Sequence, residues 1–312
     1  MSQKIATRDA YGDALVELGR EDPRIVVLDA DLAKSTKSIK FGEKYPERFF
    51  DMGIAEQNMI GTAAGLAACG KIPFCSSFAV FATGRAFDQI RNSVAYPALN
   101  VKIAASHAGI TVGEDGGSHQ SVEDIALMRV LPNMTVFVPA DALETHAAVR
   151  AAASITGPVY IRLGRAPVPL IHGPGFCFEP GRAVVMREGR HAVIAATGIM
   201  VEAALLAAEI LAAEGIEAAV LDVHTIKPLD AETIVSFARR TGAVVTAEEH
   251  SIIGGLGSAV AEVLAEQCPV PLVRVGIPDR FGESGKPEEL LELYGLTPRA
   301  VAGAVRHLLN KK

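Results

Sequence analysis

Short apolar runs alternate with stretches of helical spacing along the whole chain. Runs rich in Val, Ile and Ala predict strands at residues 25–29, 72–76, 101–106, 135–138 and 159–163. Between them apolar positions recur every three to four residues. Over 7–20, Ala10, Ala14, Leu15 and Leu18 share one helical face, with Thr7 placed to cap it. Near-continuous apolar strands separated by helices predict a parallel sheet covered on both sides. At 166–182 the texture changes to Pro167, Pro169, Pro174 and Pro180 with Gly173, Gly175 and Gly181, the composition of an extended connector. The alternation then resumes, with strands expected at 192–196, 218–222, 243–248 and 272–275 and helices at 201–214, 231–239, 258–266 and 298–309. The pattern is α/β throughout: two parallel or mostly parallel sheet domains, over 1–168 and 189–312, joined by a linker over 169–188.

Composition narrows the class. Of 312 residues 49 % are hydrophobic and 21 % charged, so a large core is available and disorder is excluded. A net charge of −6 removes the basic field that nucleic-acid binding needs. No apolar run reaches about 18 residues and the N-terminus has no apolar leader, so neither membrane spanning nor export is expected. Cys69, Cys75, Cys177 and Cys268 are scattered and read as reduced thiols of a cytoplasmic protein.

The chain has no G-x-x-x-x-G-K-[ST], H-E-x-x-H or G-x-S-x-G, and no metal ligands at zinc spacing, so no metal is assigned to it. Gly254-Gly255-Leu256-Gly257 precedes a helix but is not G-x-G-x-x-G; a steric turn explains it. Any chemistry falls to dispersed carboxylates, histidines and arginines.

Such groups concentrate at the ends of four predicted strands of the first domain, where ligands of parallel sheets lie. In 51–59, Gly53 permits a tight turn and Glu56 starts a helix; a first-turn acid favoured by the helix dipole is the plain alternative. In 76–88, Phe78 and Phe81 share a face at a helix start, as core or as a stacking platform. Residues 106–120 hold His107, Glu114, Asp115, His119 and several glycines, good material for a loop that hydrogen-bonds a polyhydroxylated ligand. Residues 162–165 offer Arg162 and Arg165 at a strand end, where a guanidinium can present a planar fork to a phosphate.

Taken in order, DMGIAEQNM (51–59), SSFAVF (76–81), GEDGGSHQSVED (113–124), RVLPNMTVFVPAD (129–141) and YIRLGR (160–165) resemble the C-terminal half of transketolase, a thiamine-diphosphate enzyme. The similarity extends through TGIMVEAALLAAEILAAEGI (197–216) and DVHTIKPLD (222–230). It implies a pyrimidine-binding domain followed by a transketolase C-terminal domain. It implies that Glu56 bonds N1′ of the cofactor aminopyrimidine, in a mostly apolar pocket that disfavours the charged carboxyl. Phe81, with Phe78 beside it, would pack the pyrimidine ring. Asp31, in LDADLAKS (28–35), would lie near the cofactor across a subunit interface.

For the sugar, the resemblance implies that Arg8, Ser35, His107 and Arg165 hold its phosphate. Asp115 and His119 would bond its hydroxyls, His119 standing with Glu56 among the catalytic groups. Two positions depart from the usual pattern, Ala108 and Gly84, and bear on the choice of sugar. The G-D-G motif that holds the diphosphate and its Mg²⁺ or Ca²⁺ in this family is missing, since Glu114-Asp115-Gly116 falls in the sugar loop and Asn133 is too near. The chain is therefore expected to be the C-terminal subunit of a split transketolase, homodimerising within an α2β2 assembly with an N-terminal partner and serving carbohydrate metabolism. The β subunit of a 2-oxo acid dehydrogenase, or a deoxyxylulose-phosphate synthase-like half, is the alternative. A non-catalytic module would need none of Glu56, Phe81, His107, Asp115 and His119.

Overall fold

The computed structural model describes residues 3–311, and each run read as a strand is one, with ends within three residues of those expected. The strands are β1 (Lys4–Ala6), β2 (Ile25–Asp29), β3 (Phe49–Asp51), β4 (Ile72–Phe78), β5 (Lys102–Ser106), β6 (Thr135–Phe137) and β7 (Val159–Arg162). There follow β8 (Pro167–Pro169), β9 (Val184–Arg187), β10 (Ala192–Ala196), β11 (Ala218–Asp222), β12 (Thr225–Lys227), β13 (Val244–Ser251) and β14 (Leu272–Ile277).

The first sheet has the order β12-β6-β7-β5-β4-β2-β3, with β2 to β7 parallel. The second has the order β14-β13-β10-β11-β9, parallel except for β9. Every residue of β2, β4, β5, β10 and β11 is buried, as the lack of polar alternation requires of strands covered on both faces. On one face of the first sheet, helix Thr7–Glu21 lays Tyr11, Leu15 and Leu18 into a cluster with Phe74, Phe137 and Val149. No helix among the described residues is long and apolar enough to cross a membrane.

Several short elements escape the sequence pattern. Within the proline-rich stretch, β8 pairs antiparallel with β1, Ile5 opposite Val168, and ties the start of the first domain to the start of the connector. Proline is tolerated there because a two-stranded ribbon leaves one edge unpaired. Val184–Arg187, expected as linker, is the edge strand of the second sheet. From the second half of the chain, β12 crosses back and pairs with β6 of the first sheet, so the two units share a strand border. Thr7 does not cap its helix: Ala6 is the N-cap, and the Thr7 hydroxyl accepts from the Gly164 amide at 2.7 Å.

Candidate active site

The carboxyl ends of β2, β3, β4, β5 and β7 open on one side of the first sheet. After β3, Gly53 (φ +67°) turns the chain, its amide donating to Asp51 Oδ1 at 3.0 Å. Glu56 is the first residue of helix Glu56–Ala68 and is only 3 % exposed. Its Oε1 accepts from Ser77 Oγ at 3.2 Å, and Arg85 Nη1 lies 3.3 Å from both carboxylate oxygens. The mostly apolar pocket expected around this acid is thus corrected: a hydroxyl and a guanidinium face it. The groove above it is lined by Ile54, Ala55, Gln57, Asn58 and Arg85, and Ile54 is 75 % exposed on its rim.

Phe78 and Phe81 do not share a helix face. Phe78 is the last residue of β4, and Phe81 opens a π-helical turn, Phe81–Arg85, the wide turn that recurs at functional sites. Their rings nevertheless stack, centroids 5.9 Å apart and 15° from parallel. The stack continues through His107, 3.7 Å from Phe78, and His119 sits edge-on at 5.3 Å from Phe81. On its outer side, the Arg85 guanidinium lies 4.0 Å from the Phe81 ring centroid.

His107 follows β5 in the left-handed region (φ +58°). Arg8 Nη1 approaches His107 Nε2 at 3.2 Å, and a guanidinium can only donate, so Nε2 accepts and Nδ1–H donates to Ser106 Oγ at 2.9 Å. Burial, then the charges of Arg8 and Arg165, hold this imidazole neutral, with its pKa pushed down to about 3. Arg8 also donates to the Ser35 carbonyl at 3.0 Å. Arg165 donates to the Val112 carbonyl and lies 3.4 Å from Asp115, while its neighbour Arg162 is buried in an ion pair with Asp124 at 2.8 Å and offers no fork to a ligand. Ser118 Oγ is 3.0 Å from His119 Nδ1.

Asp31 is exposed, with φ +62°, in the loop after β2. That loop is organised by Asp29, whose buried carboxylate accepts from Leu32 N, Thr36 Oγ1 and Ser38 Oγ at 2.6–2.8 Å. The second domain braces the loop after β5. Glu249 on β13 accepts from Thr111 N at 2.7 Å and packs against Gly109 (φ +81°), where a Cβ would overlap its carboxylate. At Gly254–Gly257 the Glu248 carboxylate caps the helix start, accepting from Leu256 N and Gly257 N at 2.7 and 2.8 Å.

Contacts therefore join Glu56, Ser77, Arg85, Phe81, Phe78, His119, His107, Arg8 and Ser35 into one surface, with Arg165 and Asp115 paired on the loop that carries His119. Ser77 and the bracing acid Glu249 carry no local signal, because their partners are distant in sequence. One hint was present: Asp29, Asp222, Glu248 and Glu249 lie in or close the strongly apolar runs of β2, β11 and β13.

Residues 3–169 match the family model "Transketolase, pyrimidine binding domain", and 181–301 match "Transketolase, C-terminal domain". The chain is 51 % identical over 305 residues to the 6-deoxy-6-sulfo-D-fructose transketolase subunit SqwH of Clostridium sp. (strain MSTE9), covering 98 % of this chain and 95 % of that one. It is 41 % identical to human transketolase over its whole length, which is half of that protein. A solved structure described as a split gene transketolase, inactive β4 tetramer, superposes with a TM-score of 0.91 at 62 % identity over 99 % of both chains. The buried acid beside a stacked aromatic pair, the order of the two domains and these likenesses agree: the chain belongs to the transketolase family, as a C-terminal subunit of the split type.

Proposed function

We propose that this chain supplies the pyrimidine-binding half of a thiamine-diphosphate site and, with a separate N-terminal subunit, transfers two-carbon ketol units between sugars carrying a terminal anion. The observation that carries the reading is how Arg85 sits. Its flat, hydrogen-bond-donating guanidinium lies on Phe81 while contacting the Glu56 carboxylate. An aminopyrimidine is also a flat ring with polar nitrogens on its edge, so the same shelf and the same acid fit it. Arg85 is half exposed, and the ring would take its place on the shelf.

When bound, thiamine diphosphate supplies the nucleophilic carbon that attacks the ketose carbonyl. Glu56 exchanges a proton with the pyrimidine edge and is held for it by Ser77. Phe81, backed by Phe78, would hold the ring plane, and Asp31, exposed in the loop after β2, would face the cofactor of a neighbouring copy. The diphosphate and its Mg²⁺ or Ca²⁺ are assigned to the N-terminal subunit, in keeping with the missing G-D-G motif and with Glu248 filling the glycine-rich start of helix Leu256–Gln267. The exposed apolar rim at Ile54 and Phe50 beside Glu56 supports a subunit seam there, in an α2β2 assembly within the cytoplasm.

Arg8 and Arg165 supply positive charge for the terminal anion, with neutral His107 and the Ser35 carbonyl holding Arg8 in place. Asp115 and His119 face the sugar hydroxyls, and His119 stands nearest the Phe81 shelf for proton transfer. Two arginines accept a phosphate or a sulfonate alike. The likeness to a sulfo-fructose transketolase subunit favours testing both. Ketol transfer from fructose 6-phosphate and from 6-deoxy-6-sulfofructose, with thiamine diphosphate and Mg²⁺, should require the N-terminal subunit. Full turnover by the chain alone would overturn the split-site reading, and pyruvate oxidation with a lipoyl acceptor would favour the oxo-acid dehydrogenase alternative.

A further inference from the structure

We propose that Glu144, His172 and Asp222 form a binding site for one divalent first-row metal ion at the junction of the two domains. The three come from different parts of the fold: Glu144 from the first turn of helix Ala142–Ser154, Asp222 from the end of β11, and His172 from the connector between the domains. Their ligand atoms all lie within 4.8 Å of one another, and all three residues are buried. Small side-chain rotations bring such a set to the ~2.0–2.2 Å that imidazole nitrogen and carboxylate oxygen take on zinc.

The unused polar atoms point the same way. Glu144 Oε1, both oxygens of Asp222 and both ring nitrogens of His172 lack a hydrogen-bond partner of good geometry, although His172 Nε2 lies 3.2 Å from Asp222 Oδ2 and Nδ1 lies 3.3 Å from Asp141 Oδ2. Asp222 is completely buried, its carboxylate meeting His172 Nε2 at 3.2 Å and the Glu144 carboxyl rather than a well-aligned donor. The other side chain oxygens of the cluster are already engaged. Glu144 Oε2 accepts from Ala140 N at 2.6 Å, which fixes Oε1 toward the cluster. Asp141 accepts from the amides of Glu144, Ile171 and His172 at 2.8–2.9 Å.

Asp141 Oδ2 also lies 3.3 Å from His172 Nδ1. This is the outer-shell carboxylate that orients metal-bound histidines, fixing the proton on Nδ1 and turning Nε2 toward the ion. A dication with Glu144, Asp222 and a neutral imidazole gives a site of zero net charge in a place where two facing carboxylates are otherwise costly. One imidazole with two carboxylates suits zinc, manganese or iron(II) better than the all-oxygen cages of calcium. The ion would staple the connector to both domains. Entry is by way of the connector, where Gly173, Pro174 and Gly175 beside His172 are exposed.

The test uses the full-length chain, stripped with chelator and titrated with Zn²⁺ by calorimetry, with bound metal counted by elemental analysis. One Zn²⁺ per chain is expected, with a rise in the unfolding temperature. Glu144→Gln and Asp222→Asn should each lower the affinity at least about 100-fold, beyond the 10–100-fold typical of outer-shell changes. In ¹⁵N-histidine spectra of the unsubstituted chain, zinc should shift one imidazole, with Nε2 ligated and Nδ1 still protonated. That readout does not depend on either variant folding. No stoichiometric uptake, uptake unchanged in both variants, or no shifted imidazole would each mean that protons alone occupy this cluster, and the proposal would fail.

Discussion

Arg85 contacts the Glu56 carboxylate at 3.3 Å while its guanidinium carbon lies 4.0 Å from the Phe81 ring centroid, so one side chain touches both groups that the proposed function assigns to the cofactor ring. The side chain is half exposed, and an ion pair of that kind contributes ~0.2–1 kcal/mol. Arg85→Ala, in the complex with the N-terminal subunit, should therefore bind thiamine diphosphate more tightly, by up to about five-fold. A fluorescence titration of the apo complex measures this, and weaker binding would show that Arg85 assists the cofactor instead of competing with it.

Glu56 itself has no substitute on this surface. Glu56→Gln keeps the side chain's shape and its bond to Ser77 but cannot exchange a proton with the pyrimidine. Ketol transfer should fall by the 10²–10⁴-fold typical of lost acid–base catalysis. Circular dichroism and the melting curve should stay those of the unsubstituted chain. Turnover within tenfold of normal would remove Glu56 from the chemistry.

His107 and Asp29 give stability opposite dependences on pH. With a folded pKa of about 3 against an unfolded 6.5, His107 stays neutral while the unfolded chain takes up a proton. Its contribution is fully present above pH 6.5 and is lost as pH falls toward 3. Asp29 is pushed by burial from 3.8 up to about 6, so between those values the folded chain holds a proton that the unfolded chain lacks. Stability from Asp29 therefore falls as pH rises through that window, by up to about 3 kcal/mol at 1.36 kcal/mol per unit. The two slopes oppose each other between pH 4 and 6, so single variants are needed to separate them. Urea unfolding at pH 4, 5, 6 and 7 should show Asp29→Asn gaining stability relative to the unsubstituted chain as pH rises. His107→Asn should gain relative to it as pH falls.

Gly109 is where the second domain presses on the loop after β5. A methyl group at φ +81° would strain the backbone and overlap the Glu249 carboxylate. Gly109→Ala should cost about 1–3 kcal/mol from backbone conformation alone. It should also raise KM for the anionic sugar more than it lowers kcat, because the segment it displaces begins at His107. Steady-state kinetics of the reconstituted complex separates the two effects.

The alternation of apolar runs and helical repeats determined the two sheet domains, since a strand covered on both faces has to be apolar throughout. That pattern also put His107 and Arg165 at strand ends and Glu56 at a helix start, and the order of phrases around them carried the family. Three features were decided only in the tertiary structure. The strands β1, β8, β9 and β12 are too short or too rich in proline to show a period, and exist because a partner strand was already in place. The Arg85–Glu56 pair depends on a π-helical turn that adds a residue to the helical register. The buried acids Asp222 and Glu249 meet partners distant in the chain, and no local spacing encodes a group assembled by the packing of two sheets.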